Sequence, residues 1–215
     1  MAWRIARQAA FLAAAFLALA GCGPTIEKPV TSLSEIGSDS VVVVGRLELE
    51  PPLRPGEQQI RAGTIDPLGV GDQIRDHGML WFSRSAETPT EKGEVVLNPR
   101  LGELYFLPVP KSTPYMVGGY IRTQFNMRLL GPRSVTVDEA RIEIPGGLRY
   151  DIRPGDKAIY VGTLRLHRDE FNEVVKADFV DEYDAAAAEF KKRFGPGTTL
   201  RKAVPRRQSD RRASR

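Results

Sequence analysis

Cysteine occurs once in the 215-residue chain, at Cys22, and histidine twice, at His77 and His167. A single thiol excludes an intrachain disulfide scaffold. It also excludes the multi-cysteine zinc frameworks. The two histidines stand far apart in sequence, and no HExxH spacing occurs. The nucleophile motifs GxSxG and SxxK are missing as well. Gly69-Val70-Gly71 and Gly118-Gly119 are too short to cradle a phosphate, and neither opens a helical pattern. Gly118-Gly119 reads instead as a bulge or a place of close strand packing. Glu48 and Glu50 read as the solvent face of a strand, not as a carboxylate pair set across a cleft. No residue nominates itself as catalytic or as a metal ligand, and no cofactor is indicated.

Long apolar runs are also scarce. The one present, AAFLAAAFLALA at residues 9–20, has 12 residues, short of the roughly 20 that cross a bilayer core. Arg4 and Arg7 precede it, and the small residues Ala20-Gly21 follow, which is the layout of a secretory signal peptide over residues 1–21. The run ends in Leu19-Ala20-Gly21-Cys22, which resembles the lipobox of bacterial lipoproteins. The resemblance implies cleavage between Gly21 and Cys22, a diacylglycerol thioether on Cys22, and acyl chains such as palmitate as the membrane anchor. Two or three chains on one residue hold a protein almost irreversibly. Gly23 follows the cysteine where an Asp would mark inner-membrane retention, so the resemblance implies an outer-membrane protein facing the periplasm. The mature chain would be 194 residues long and contain no cysteine.

The net charge of +4 is unevenly spread. The last 15 residues, RKAVPRRQSDRRASR, hold seven Arg and Lys against Asp210 alone. The signal segment adds two more cations, so the part between is mildly acidic. A nucleic-acid-binding fold concentrates its positive charge on the fold itself, so nucleic acid is not an expected partner. The basic segment 198–215 lacks large apolar residues past Val204 and reads as disordered. It serves either as a solubilising tail or as a contact with an anionic envelope polymer or an envelope protein. Residues 22–38, rich in Pro, Ser, Thr and Gly after the cysteine, read as a flexible tether.

Strand signals fill the middle. SVVVVGRLELEP at 40–51 places Val41, Val43, Leu47 and Leu49 on one face and Arg46, Glu48 and Glu50 on the other. Further strands are expected at 59–65, 78–84, 103–109, 114–125, 141–145, 158–168 and 172–180, the last two as a hairpin across Asp169-Glu170-Phe171. One helix is expected at 181–195. Asp181, Glu182 and Asp184 lie in its first turn and Lys191, Lys192 and Arg193 in its last, each set opposing the helix dipole. Tyr183, Ala187, Phe190 and Phe194 form its apolar stripe, expected to cover a sheet edge or open end. The fold class is therefore mainly β: a single antiparallel β-sandwich over residues 39–197 with one C-terminal amphipathic helix. LYFLPVPKSTPYMVGGY (104–120) and RPGDKAIYVGTLRL (153–166) look like the prealbumin-like or carboxypeptidase-regulatory-type sandwich of many bacterial lipoproteins, including the DUF2846-type group. That likeness carries no site residues.

Four weaker candidates remain. His77, beside Asp76 in a loop, is the residue around which a hydrolase or metal site would form. His167 is placed on the strand face of Val161, Thr163 and Arg165, opposite Leu164 and Leu166, hence at the surface. Asp178, Asp181, Glu182 and Asp184 cluster acid at a strand-to-helix junction, though not with calcium-loop spacing. Trp81, Tyr105, Tyr115 and Tyr120 would line a small-ligand or carbohydrate cleft if they converged, and otherwise belong to the core. The expected function is an envelope lipoprotein with a non-enzymatic binding or scaffolding role.

Overall fold

The computed structural model describes residues 25–54, 57, 76–131 and 134–207, with side chains left out at 25–26, 124–139 and 206–207. The signal segment, Cys22, the expected strand 59–65 and Gly69-Val70-Gly71 lie outside the described residues. Among the described residues, twelve strands form two sheets. The first is ordered β1 (Thr25–Glu27), β4 (Val95–Leu97), β3 (Gly78–Ser83), β6 (Tyr115–Gly131), β8 (Leu148–Arg149), β12 (Arg206–Arg207), with β7 (Ser134–Ile144) also on β6. The second is β10 (Val174–Val180), β9 (Ala158–Arg168), β2 (Ser40–Glu50), β5 (Leu104–Pro110), with β11 (Arg201–Lys202) also on β9. Antiparallel pairing dominates, as expected, and three parallel pairs interrupt it: β1–β4, β11–β9 and the central β2–β9.

The inner faces meet in one core. Val41, Val43, Leu47 and Leu49 of β2 point into it, as their alternation requires, against Leu80, Phe82, Leu97, Ile121 and Ile142 of the other sheet. The alternation of β9 breaks. Its register on β2 slips between Tyr160 and Gly162, where Gly162 has φ +92°. Only glycine takes that backbone easily. The bulge puts Val161 in the core together with Leu164 and Leu166, so Val161 does not share the outer face with Thr163, Arg165 and His167.

The second sheet is also buried on its outer face. Val42, Val44, Phe106, Ala158 and Tyr160 form a second core with Ala186 and Phe190 of the helix α1 (Tyr183–Phe194). The expected stripe is correct in composition, with Tyr183, Ala187 and Phe194 packed beside them. It lies across the sheet's face, not over an edge, because the valines alternate with the inner set and leave an apolar surface there. Gly195 stops the helix with φ +100°, its N–H bonded to Lys191 O.

Two segments expected to be flexible are built into the fold. In 22–38, Thr25–Glu27 pairs with β4 as a strand, and Val30 is buried with its N–H on Phe106 O at 2.9 Å. In 198–215, Leu200 and Ala203 are buried, β11 lies on β9 and β12 on β8. Arg201 makes the difference: its Nε and Nη2 reach both oxygens of Asp156 at 2.8 and 2.5 Å. Arginines that read as a solvated run are here a strand and its clasp. Residues 208–215 lie outside the described residues.

Candidate functional site

β10 is the outermost strand of the second sheet, paired among the described residues only with β9. A tight hairpin joins them. Asp169 Oδ1 accepts from the N–H groups of Phe171 and Glu173, both at 2.9 Å, and Asn172 takes φ +67°. The register then shifts between Val174 and Lys176, so Val175 is thrown outward and stands 66% exposed. Phe171 at the tip is 78% exposed. Beyond the bulge, Ala177 and Phe179 point inward beside Leu166 and Leu164, while Lys176 and Asp178 point outward.

Opposite β10, the other sheet passes from β7 to β8 through Pro145, Gly146 and Gly147. Between these two edges the side of the sandwich is open. A groove of about 770 Å³ lies there, floored by Leu164 and lined by Leu148, Val174, Ala177 and Phe179. Its rim carries Lys176 and Asp178. Lys176 Nζ is 2.6 Å from Asp178, and His167 Nε2 is 3.1 Å from the same oxygen. The lysine first, then the histidine, hold the Asp178 carboxyl below its ordinary range. The groove thus offers an apolar floor, glycine backbone on one wall and an edge strand on the other. An extended chain entering it would run alongside β10 and meet pockets for alternate side chains.

No protein-family description, curated protein or solved structure matches this chain. The site therefore stands on its own geometry.

The candidates singled out in the sequence are dispersed. His77 is half-buried and bridges Arg100 through the backbone, while His167 lies on the outer face of the other sheet. The acid cluster does not converge. Asp178 is held by Lys176, Asp181 pairs with Lys202, and Glu182 accepts from Arg46 and Thr163, each at 2.8 Å. Only Asp184 remains in the first turn of α1, so three of the four carboxylates serve tertiary contacts. Among the described residues no group of three or more His, Cys, Asp or Glu is placed to hold a metal ion.

The aromatic set divides three ways. Trp81 and Tyr120 pack with Val96 on the outer face of the first sheet, at 8% and 6% exposure, too enclosed for a stacking platform. Arg141 lies 4.4 Å above the Tyr120 ring. Tyr105 is in the main core, where burial raises its phenol pKa. Tyr115 stands at the start of β6 beneath Arg149. Gly118-Gly119 is a point of close packing, as read: a Cβ on Gly119 would lie 2.3 Å from Met79 O.

Sequence reasoning missed the groove. Its walls come from segments separated by some 30 residues, and their shared position depends on which strands end up at the edges. The two legible signals were the broken alternation of NEVVKADFV and the paired glycines after RIEIP.

Proposed function

We propose that this chain is a lipid-anchored lipoprotein of a bacterial envelope whose sandwich binds an extended segment of a partner protein along β10. The observation carrying this reading is the groove beside β10, which among the described residues pairs with β9 alone, flanked by the exposed Phe171 and Val175. The anchor part rests on the order of charge, apolar run and Leu19-Ala20-Gly21-Cys22. Edge strands of this kind receive partner strands through backbone hydrogen bonds, and alternate side chains fill adjacent pockets. The role is scaffolding and needs no chemistry at the site.

The test is a photo-crosslinking amino acid at Val175 in intact cells, with the same probe at Lys92 as the remote control. A discrete adduct is expected at 175 and not at 92. Phe171→Asp, with the probe still at 175, should abolish it while leaving the melting temperature within about 2 °C, because that side chain is already in solvent. Equal adducts at both positions, or an adduct at 175 that survives Phe171→Asp, would sink the reading.

A further inference from the structure

Strand register places the two termini of the fold at one end of the sandwich. A single row across the first sheet runs Thr25, Val95, Phe82, Met116, Leu148, Arg207, each the pairing partner of the next. The start of the anchor strand and the last strand therefore stand level, about 24 Å apart across five strand spacings. Cys22 precedes Thr25 by three residues in the sequence. Because residues 25–38 are folded onto the domain, no long tether separates the fold from an anchor at Cys22.

Charge follows the same axis. The loops at this end carry Lys111 and Lys157, β8 ends in Arg149, and β12 brings Arg206 and Arg207 to the same level. Acids stand at this end too: Asp151 and Asp156 are held by Arg201 and Arg153, and Glu94 by Arg84. Asp39, Glu87 and Glu91 lie in the turns beside Lys111 and Lys92, and the described cations still outnumber the acids. The opposite end, where β2 and β9 finish, carries Glu50, Glu57, Asp169, Glu170 and Glu173 against Arg54 and the buried Arg168. Arg211, Arg212 and Arg215 follow within eight residues of Arg207 in the sequence.

We propose that this end of the sandwich seats directly on an anionic lipid surface, held at one side by the acylated Cys22 and at the other by the cations around β8 and β12. The inference rests on the reading of Cys22 as the anchor and adds to it a fixed orientation and a lipid class. Acyl chains supply the attachment, and the basic face, attracted to lipid phosphates, sets the tilt. The acidic end then points away from the bilayer, and the β10 groove opens sideways, clear of the membrane.

The protein purified from membranes is the material for the test. Single cysteines at Ser112 (anchor end) and Glu170 (far end) carry a fluorophore, read against headgroup-spin-labelled lipid. In phosphatidylglycerol vesicles quenching at 112 should exceed that at 170 by about fivefold or more. In phosphatidylcholine vesicles, or with Lys111→Glu, Arg149→Glu and Lys157→Glu together, the difference should collapse while the protein stays bound. Equal quenching at 112 and 170 on anionic vesicles would overturn the seating. Intact mass on the same sample reads the anchor separately. If Cys22 is a free thiol, the anchor reading fails alone. Partition between the two vesicle types then decides the basic face: salt-sensitive preference for phosphatidylglycerol upholds it, and no preference overturns it.

Discussion

Arg168 is the most constrained side chain of the described fold. It ends β9, is 2% exposed, and uses its whole guanidinium. Nε donates to Pro51 O at 3.0 Å, Nη2 to Pro52 O at 2.9 Å, and the two Nη groups grip both oxygens of Glu57 at 3.0 and 2.8 Å. Nη1 also bonds Asn172 Oδ1 in the hairpin. Five donors meet five acceptors, which a lysine with three cannot reproduce. Arg168→Ala should cost about 3 kcal/mol, since Glu57 is partly exposed and water recovers some of the loss. That corresponds to a melting temperature lower by roughly 6–12 °C for a domain of this size. Arg168→Lys should fall between the two, and an unchanged melting temperature for lysine would show that charge alone matters. Nothing in the sequence distinguished this arginine from its neighbours, because four of its five acceptors stand more than a hundred positions away.

At the scale of elements, the termini behave opposite to their composition. Polar, proline-containing segments read as tether and tail, yet each contributes strand pairing and a buried apolar residue, Val30 on one side and Leu200 on the other. The helix between them is pinned at both ends. Tyr183 Oη donates to Leu200 O at 2.6 Å, and Arg193 Nη2 donates to Val30 O at 3.0 Å. Truncation should therefore be sharply position-dependent. Ending the chain at Arg207 should leave urea unfolding nearly unchanged. Ending it at Thr198 removes Leu200, Arg201, β11 and β12, and should lower stability by about 3 kcal/mol or more. Equal midpoints for the two truncations would return residues 198–207 to the status of a tail.

For the molecule as a whole, the ion pairs that fasten these segments predict an acid limit. Glu57 is held below its ordinary pKa near 4.5, first by its hydrogen bond to Arg168. Asp156 is held below 3.8, first by its hydrogen bond to Arg201. A carboxyl with a lower pKa folded than unfolded contributes stability that is full above the unfolded value and lost as pH falls through the folded one. Burial raises Glu27, which opposes the effect. The melting temperature should be flat from about pH 8 to 5.5 and fall below about 4.5. Arg168→Met should shallow that decline by removing the cause of the Glu57 shift. A slope unaltered by the substitution would assign the acid limit to other carboxylates.

The sequence by itself determined the strands whose periodicity is local: β2, β3, β5, β9 and β10, and the helix with its charged ends and glycine stop. It determined the sandwich class as well, because short alternating runs between turns can bury a face only against a second sheet. Tertiary structure alone decided what depends on distant pairing. The Gly162 bulge changes which side of β9 Val161 occupies, the outer valines of β2 find a helix, and short basic segments become strands once Asp156 is near. The same holds for the groove and the basic end. A strand becomes an edge, and a cation joins a face, only through the order in which strands assemble, which no local pattern encodes.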